Sequence, residues 1–339
     1  MKKIFLFLII GFQISNAQLF RSLTNVGTTV AQFLKIGTDA RTLALGSGGV
    51  ALDGSITSLY WNPGGIATIK NSGSTNLTHA EWLADINYNF ASTILNLNEI
   101  GVVGLSFTSL NVPEEIVRTE SNPFGDGRRW SANSFSLGLT YARSLTDRFS
   151  IGGTAKYIYE GIWNEKSSAF AFDIGTFYKS EFNDIKIGAS ISNFGSKMKL
   201  TGSDINFTSN PSGEISQGPQ NIGSEYSVDE FQIPLTFRVG ATMNIFSSNQ
   251  IKSTLIVDAV HPNDNAEYVN IGIESNFEET FYLRVGKKAQ FLPNSEQGLT
   301  YGFGISYPMS TQTNFKIDYA LANYGRLEKV QFVSIIIEY

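Results

Sequence analysis

The chain has 339 residues with no cysteine and a formal net charge of −5. Without disulfides, its stability must come from strand pairing and side-chain packing. The charge is mild and forms no basic clusters, which argues against nucleic acid as a partner. After the first seventeen residues no run of eighteen apolar residues occurs, so membrane-spanning helices are excluded.

The first residues have a pattern typical of a secretory signal. Two lysines precede an apolar run at residues 4–12, and small residues follow up to Ala17. This pattern predicts a signal peptide over residues 1–17 that is removed on export. Gln18 stands where a lipoprotein would have cysteine, so we expect no lipid anchor.

Residues 18–74 lack the alternation of a membrane-spanning strand. Apolar side chains recur at roughly helical spacing over residues 30–45, and a Gly-Ser-Gly-Gly run at 46–49 interrupts that pattern. Glycine runs can cradle phosphate, but this one follows a helical pattern and has no Lys-Ser or Lys-Thr after it. Segments of this kind commonly fill barrel interiors. We therefore expect an N-terminal hatch that lies inside the lumen and blocks the pore at rest.

Fourteen segments after the hatch alternate apolar and polar residues. Barrel strands are inconspicuous in hydropathy because their lipid-facing and lumen-facing residues cancel, and the mean hydropathy here is close to zero. Most segments are long enough to cross a bilayer at a tilt. The sequence thus predicts an all-β fold, an about 14-stranded antiparallel transmembrane β-barrel over residues 75–339. The strands are expected at 75–82, 86–97, 100–109, 132–145, 148–160, 168–180, 184–194, 232–246, 251–260, 267–277, 280–288, 298–308, 312–322 and 329–339.

The connections between these strands alternate in length. Tight turns such as 278–279 follow even-numbered strands, and longer connections such as 110–131, 161–167 and 195–231 follow odd-numbered ones. Bacterial barrels place short turns in the periplasm and long loops outside. The pattern predicts an outer-membrane protein surrounded by outer-membrane lipid, with both termini periplasmic. The first hairpin, at 83–85, departs from this length rule.

Charged residues on the predicted strands fall opposite the apolar residues that would face lipid. Phe237 and Val239, for example, flank Arg238. A bare Arg or Lys against lipid would cost about 2 to 4 kcal/mol near the midplane, so these charges are expected in the lumen. There they either pair and fix the shape of the barrel, or take part in conduction or ligand contact. The predicted lumen charges are Asp173, Arg238, Asp258, Glu274, Arg284, Lys316 and Asp318.

The last predicted strand ends on an aromatic residue, Tyr339. Within it, Val333, Ile335 and Ile337 alternate with Ser334 and other residues of the opposite face. A final strand that closes on an aromatic residue is typical of outer-membrane barrels, whose assembly machinery reads it. This strand therefore supports the barrel interpretation.

Catalytic or metal chemistry has little support in the sequence. His79 and His261, the two histidines, lack metal-ligand spacing to another histidine or to cysteine. His79 and Glu81 share one face of a predicted strand and could serve a lipid deacylase with a serine, but no serine is distinguished by its position. We expect a protein that is not an enzyme and that uses no cofactor and no metal.

A family resemblance is carried by the N-terminal segment. Its motif runs Ala-Gln-Phe-Leu-Lys-Ile-Gly at 31–37, Ala-Arg at 40–41, Leu-Gly at 45–46, Ala-Leu at 51–52 and Leu-Tyr-Trp-Asn-Pro at 59–63. The motif resembles the signature of the PorV/PorQ family, which is related to FadL-type fatty-acid transporters and shares their fourteen-stranded barrel with an N-terminal hatch. The sequence departs from the family pattern at Gly64, where the family usually has alanine, and at Asp53, which lacks the usual acidic neighbour. The hatch residues that the resemblance singles out are Arg41, Trp61, Asn62 and Pro63.

The resemblance implies a role in type IX secretion. PorV-like barrels bind the C-terminal signal domains of secreted cargo and carry them to a surface attachment complex, so cargo signal domains and secretion-system subunits are the implied partners. A FadL-like channel for hydrophobic small molecules, with an apolar ligand in the lumen, is the alternative. A purely structural barrel is the third interpretation.

Aromatic residues in two places are candidates for contact or gating. Trp61 in the hatch motif could gate the lumen, or it could anchor an Asn-Pro turn by packing. The predicted outer loops carry Phe124, Trp130 and Phe207. These side chains could grip a partner, line the mouth of a hydrophobic-ligand site, or pack on each other as a lid.

Overall fold

The computed structural model describes residues 25–210 and 221–339, and the predicted signal peptide at 1–17 lies outside them. The chain forms a closed antiparallel β-barrel with an N-terminal segment in its lumen. Alternation of apolar and polar residues gives each wall strand one face for lipid and one for the interior. A closed barrel uses both faces and leaves no unpaired strand edge.

The strands divide into two wall halves and a group of short strands between them. The first half consists of β1 (Gly73–Glu81), β2 (Asn87–Asn96), β3 (Val102–Ile116), β4 (Arg129–Ser144), β5 (Phe149–Ile162), β6 (Glu165–Lys179) and β7 (Lys186–Gly195). The short strands are β8 (Met198–Lys199), β9 (Thr201–Gly202), β10 (Asn206–Ser209), β11 (Ile222–Glu225) and β12 (Glu230–Phe231). The second half consists of β13 (Thr236–Ser247), β14 (Ile251–Pro262), β15 (Tyr268–Phe277), β16 (Phe281–Gln290), β17 (Leu299–Pro308), β18 (Asn314–Asn323) and β19 (Lys329–Glu338).

The wall closes because its first and last strands pair. β1 pairs with β2 on one side and with β19 on the other, where Leu77 lies opposite Ile335. Gly73 and Tyr339 exchange backbone hydrogen bonds of 2.8 and 3.0 Å at the end of this ladder. Across the long connection, β7 pairs with β13. The two wall halves therefore form one ring of fourteen strands, which confirms the predicted all-β barrel.

β6 shows how the alternation is used. Phe170, Phe172 and Ile174 point outward and are 66%, 57% and 55% exposed, whereas Ala171 and Asp173 between them are buried. In an outer membrane such apolar side chains are covered by lipid. The buried side chains of the same strand face the lumen, where a charge can find a partner.

The two ends of the barrel differ in their connections. We call the end with the connections at 117–128 and 196–235 the loop mouth, and the end with the turns at 97–101 and 180–185 the turn mouth. Within the longest connection, β10 pairs with β11 and β8 pairs with β12. The loop mouth therefore carries folded structure beyond the wall.

The loop predicted at 110–131 is shorter than expected, because β3 and β4 extend toward each other. Ile116 lies opposite Arg129, so the connection is reduced to 117–128. Trp130, predicted in that loop, lies on β4 opposite Glu115. Pro113 lies in an irregularity of the ladder between Val112 and Glu115, where a missing N–H is tolerated.

The longer connection predicted at 161–167 is also wrong. Ile162 pairs directly with Glu165, so only Trp163 and Asn164 join β5 to β6. Trp163 takes a left-handed φ of 51°, a conformation that tight hairpins usually assign to glycine or asparagine. Tryptophan is not a typical residue of tight turns, so the turn was not predicted from the sequence. The rule that longer connections follow odd-numbered strands fails at this connection.

The N-terminal segment crosses the whole lumen before the wall begins. At the loop mouth the Asn25 side chain donates to the carbonyl of Asn263, and at the turn mouth the Asn96 N–H donates to the carbonyl of Ser72. The segment contains a 3₁₀ helix at Gln32–Lys35, α1 at Ala40–Ala44, α2 at Ser58–Trp61 and a 3₁₀ helix at Pro63–Thr68. We call the described residues 25–72 the hatch.

Short helical turns complete the described secondary structure. They lie at Leu83–Asp85, Asn98–Ile100 and Gly325–Leu327, each in a connection between wall strands. No helix in the described ranges is long and apolar enough to cross a membrane.

The main hydrophobic core lies between the hatch and the inner wall. Phe33, Leu34 and Leu43 of the hatch belong to one buried cluster with Tyr88 and Phe332 of the wall. The side chain of Asp39 caps α1 by accepting from the N–H of Thr42 at 2.8 Å. Helices this short have little intrinsic stability, so packing against the wall holds them in place.

Candidate functional site

A chain of alternating charges fastens α1 of the hatch to the wall. Arg41 donates two hydrogen bonds to Glu274 on β15, at 2.8 and 2.7 Å. Arg284 on β16 donates to the same carboxylate at 2.7 Å and to Asp318 on β18 at 2.5 Å. Two arginines and two carboxylates therefore balance in a cluster whose members are buried except for the partly exposed Arg41. Fork-like guanidinium contacts of this kind offset the cost of removing the charges from water.

The hatch backbone is also held by polar side chains of the wall. Asp258 on β14 accepts from the N–H groups of Gly49 and Val50 at 2.6 and 3.0 Å. Ser334 on β19 accepts from the N–H of Ala40 at 2.9 Å. The Asn62 side chain donates to the carbonyl of Thr176 on β6 at 2.8 Å. The hatch is therefore bonded to strands from both halves of the wall.

Trp61, Asn62 and Pro63 act as packing and turn residues at the centre of the hatch. Trp61 is 3% exposed, and its indole N–H donates to Asp39 at 3.0 Å. The Asn62 side chain accepts from the N–H of Gly64 at 3.1 Å, and Pro63 begins the 3₁₀ helix that follows. Because Trp61 is fully enclosed and hydrogen-bonded, its position is that of an anchor rather than of a side chain hanging into an open channel.

A glycine in the wall allows the close approach of this turn. A Cβ at Gly175 on β6 would overlap the side-chain oxygen of Asn62 and lie 2.7 Å from Cδ of Pro63. Any larger residue would push the hatch from the wall or force the strand to shift. The Asn-Pro turn is thus fitted to one position on the inner surface.

The remaining predicted lumen charges also point into the lumen, but they differ in their partners. Asp173 pairs with Lys156 at 2.5 Å, and Lys316 pairs with Glu338 at 2.7 Å. Arg238 is 7% exposed and donates to the hydroxyl of Ser192 at 3.1 Å. Arg238 is therefore the predicted lumen cation that lacks a carboxylate partner among the described residues.

A cavity of about 240 Å³ opens at the turn mouth beneath the hatch. Its lining contains both signs of charge, including the pairs Lys186 with Asp53 at 2.5 Å and Lys316 with Glu338. Because the charges compensate each other, the cavity has no strong preference for an ion of either sign. Its lining is polar and carries charges of both signs.

An apolar cavity of about 390 Å³ lies at the loop mouth. Met198, Leu200 and Phe231 of the long connection form part of its lining, together with Val30 of the hatch. Glu160 also lines it and accepts from the N–H of Ala31 at 3.0 Å. The cavity is therefore mainly apolar, with two acidic residues in its lining, Glu160 and Asp229, of which Glu160 is already engaged by the hatch.

The three predicted loop contacts lie elsewhere on the loop-mouth half. Phe124 stands at the tip of the 117–128 connection and is 95% exposed. Phe207 on β10 is 41% exposed and packs on Tyr226 with ring centroids 4.7 Å apart. Trp130 is partly buried on β4. None of the three is among the described residues that line the apolar cavity.

Neither histidine lies in a site suited to catalysis. His79 is exposed on β1 and its ring contacts the side chain of Asn89 at 2.8 Å, while His261 contacts Glu267 at 2.9 Å. Within the described ranges no three His, Cys, Asp or Glu side chains gather as metal ligands. The polar groups of the lumen instead serve docking and charge compensation.

Residues 21–212, more than half of the chain, match the family model described as type IX secretion system protein PorV. The chain belongs to the PorV family. No curated protein matches it significantly. Family and fold together identify an outer-membrane barrel associated with type IX secretion.

The fold of this PorV-family chain is similar to solved FadL-like barrels. The Pseudomonas putida toluene transporter TodX has a TM-score of 0.55 at 10% identity, covering 89% of this chain and 97% of that one. A Pseudomonas aeruginosa FadL homologue has a TM-score of 0.51 at 10% identity, covering 89% and 98%. The Ralstonia pickettii toluene transporter TbuX has a TM-score of 0.51 at 12% identity, covering 89% and 97%. At such identities the likeness shows the fold alone.

Sequence reasoning missed several partners inside this PorV-family barrel. Lys156 could have been found, because the alternation of β5 turns it to the same side as Thr154, which is buried. Glu338 also follows from parity, since it shares a face with Ser334. Asp39, the buried partner of Trp61, carried no signal beyond its place before a short helix.

Proposed function

We propose that this PorV-family barrel binds a protein of the type IX secretion pathway at its loop mouth, while the hatch stays docked in the lumen. The contacts between hatch and wall carry this proposal. They span the lumen and use buried charges, so the barrel offers an outer surface to a partner rather than a passage through its centre. The proposed role is non-catalytic.

Release of the hatch would be costly. Withdrawing Arg41 would leave Glu274 without one of its two cationic partners, and breaking a buried ion pair on one side typically costs about 3 to 5 kcal/mol. The backbone bonds to Asp258 would be lost as well. These contacts favour a permanently closed barrel over a gated channel.

The proposed partners are the C-terminal signal domains of secreted cargo, or subunits of the translocon and attachment machinery. Exposed aromatic residues support a protein-binding surface at the loop mouth. Phe207 and Tyr226 form a ring pair that is partly open to solvent, and Phe231 is also exposed. Aromatic residues of this type often dominate the binding energy at protein interfaces.

We also propose that the loop mouth faces the cell exterior and the turn mouth the periplasm. Long connections usually lie outside in such barrels. In this orientation Tyr339 lies on the periplasmic side, where β19 meets Gly73. The described chain enters at the loop mouth with Asn25, and the start of the mature chain predicted at Gln18 lies outside the described residues.

A second candidate is a channel or carrier for hydrophobic small molecules. The apolar cavity of about 390 Å³ at the loop mouth favours it, because such a volume could hold a small apolar ligand. The barrel's likeness to the toluene transporters TodX and TbuX is compatible with this function. The docked hatch argues against passage through the centre.

Affinity purification from outer membranes in mild detergent tests the two candidates. Tagged wild-type protein would be compared with Phe207→Ala at the loop mouth and Phe182→Ala at the turn mouth, and bound proteins and small molecules would be identified by mass spectrometry. Secreted proteins or secretion subunits should be recovered with wild type and Phe182→Ala and depleted with Phe207→Ala. A barrel recovered alone with an apolar molecule would replace this proposal with the second candidate.

A further inference from the structure

A second cavity at the loop mouth, of about 200 Å³, has an unusual charge balance. Lys35, Arg238 and Lys288 line it, and none of the other described residues in its lining is acidic. Aromatic side chains of Trp82, Tyr268 and Tyr324 also line it, together with amides and small residues. The three cations come from the hatch, β13 and β16, so the fold brings them together from distant parts of the chain.

The carboxylate beside this cavity is already engaged. Asp264 accepts from Lys35 at 2.9 and 3.1 Å, from Thr29 at 2.7 Å and from Gln32 at 3.1 Å. Burial opposes its ionisation, but these donors hold the pKa of Asp264 below its ordinary value. Asp264 therefore neutralises Lys35, whereas Arg238 and Lys288 form no ion pair among the described residues.

Arg238 is buried without an ion pair in the described chain. It donates to Ser192 at 3.1 Å and lies over the Trp61 ring, with its guanidinium carbon 5.5 Å from the centroid. Asp258 lies deeper in the lumen, accepts from Gly49 and Val50, and makes no ion pair with Arg238. By contrast, buried arginines normally have carboxylate partners, because an unpaired charge is costly to bury.

A β-bulge helps to place Lys288 at the same cavity. The register between β15 and β16 shifts so that Lys288 and Ala289 together face Asn270. Such bulges often re-aim side chains near functional sites. Lys288 lies over the ring of Tyr324 at 5.9 Å and forms no ion pair within the described ranges.

We propose that this cavity binds a phosphate group, free or carried by a larger molecule, between Arg238 and Lys288. An oxyanion would supply the missing negative charge. The planar guanidinium can donate two parallel hydrogen bonds to it, and the lysine ammonium adds a point charge. Gln297 and Asn265 in the lining offer further donors. The inference does not depend on the proposed protein partner.

Two variants separate binding from folding. Lys288→Gln removes one cation whose side chain makes no hydrogen bond in the described chain, so it should leave the barrel intact. Arg238→Gln removes the other cation but also the bond to Ser192. Lys252→Gln is the matched control, because Lys252 is an exposed lysine in the turn-mouth cavity.

Binding would be measured on the full-length mature protein in neutral detergent, by titration with inorganic phosphate against chloride at equal ionic strength. Phosphorus NMR line broadening and the rise in thermal midpoint are the two readouts. Phosphate should bind wild type and Lys252→Gln equally, and Lys288→Gln should bind roughly tenfold more weakly, as expected for loss of one charge-assisted contact. Arg238→Gln should lose at least as much.

A short-chain soluble phosphatidate provides the second arm. Tighter binding of this probe than of inorganic phosphate would assign the cavity to a phosphorylated headgroup, and the reverse order would assign it to the free ion. In both cases, binding of the probe must be weaker in Lys288→Gln than in wild type. If neither probe binds wild type, or if Lys288→Gln binds both as well as Lys252→Gln does, the proposal is overturned.

Discussion

The two mouths of this barrel differ in how completely their charges are paired. At the turn mouth, Arg41, Glu274, Arg284 and Asp318 form one compensated network. At the loop mouth, Arg238 and Lys288 face a cavity without a carboxylate among its described lining residues. The same inner wall therefore contains a satisfied region and an unsatisfied one.

The difference distinguishes the region that holds the hatch in place from the region that is available to a ligand or a partner. Paired buried charges give the hatch one docking position, but they leave nothing for a ligand to add. Unpaired buried cations and exposed aromatic rings lower the stability of the protein. Such features are expected where another molecule binds and supplies the missing contacts. We therefore expect changes at the turn mouth to affect stability and changes at the loop mouth to affect binding.

The largest effect is expected when Glu274 is replaced by alanine. The buried Arg284 and the partly buried Arg41 would then lose their shared acceptor, at a cost of about 3 to 5 kcal/mol in the free energy of unfolding. Glu114→Ala is the control, because Glu114 pairs with Arg129 at an exposed position and such pairs contribute little. Urea unfolding in detergent would measure both. Equal losses for the two variants would contradict the docking role of the network.

Asp258→Asn should loosen the centre of the hatch. The substitution weakens the acceptor for Gly49 and Val50, and hydrogen bonds to a charged group contribute about 1.5 to 3 kcal/mol. Faster hydrogen exchange at those two amides is the expected result. Asp184→Asn, at an exposed turn-mouth position, should leave their exchange unchanged. Unaltered exchange in Asp258→Asn would show that the carboxylate does not hold the hatch.

Gly175→Ala should lower the free energy of unfolding by about 1 to 3 kcal/mol, because the added methyl group overpacks the contact between the Asn-Pro turn and the wall. Gly153→Ala is a close control, since the nearest atom to a Cβ there is the Asp173 carbonyl oxygen at 3.4 Å. Thermal midpoints would compare the two variants. If both shift equally, the close approach of the hatch is not the cause.

Substitution of the exposed aromatic residues at the loop mouth should weaken partner binding without affecting stability. Tyr226→Ala removes the ring that packs on Phe207, and loss of an interface aromatic typically costs about 2 kcal/mol of binding. The affinity for a captured partner should fall, while the thermal midpoint stays within the error of wild type. A lowered midpoint with unchanged affinity would reverse the assignment of the two mouths.

The smallest effect is expected from Asp264 at low pH. Its folded pKa lies below the ordinary value of 3.8, so its contribution is present above that value and is lost as the pH falls through the folded pKa. We expect a loss of at most about 1 kcal/mol below pH 3.8, seen as faster hydrogen exchange over residues 32–35. Asp264→Asn should remove this pH dependence. If hydrogen exchange in that variant depends on pH as it does in wild type, Asp264 is not the group responsible.

The wall was predictable because alternation is a local signal. β19 and β13 follow directly from apolar and polar parity, and the same parity places Asp258 and Asp318 inside. The predicted bounds failed at Trp163, where a bulky residue adopts a turn conformation, and at residues 110–116, which continue β3 past its predicted end through a ladder irregularity. Both failures concern strand ends, where few neighbours constrain the backbone.

The site was less predictable because it depends on pairing across the lumen. Arg41 follows from the family motif, but its partner Glu274 lies 233 residues away and no local pattern connects them. The unpaired state of Arg238 could be recognised only after the partners of the other predicted lumen charges had been identified among the described residues. Absence of a partner has no sequence signature.

The most direct test of the difference between the mouths is site-specific photocrosslinking in living cells. A photoreactive residue would replace Phe207 at the loop mouth or Phe182 at the turn mouth, two exposed phenylalanines, and the adducts would be identified by mass spectrometry. Secreted cargo or secretion subunits crosslinked at position 207 and absent at position 182 would support the account. Protein adducts at position 182 alone would contradict it.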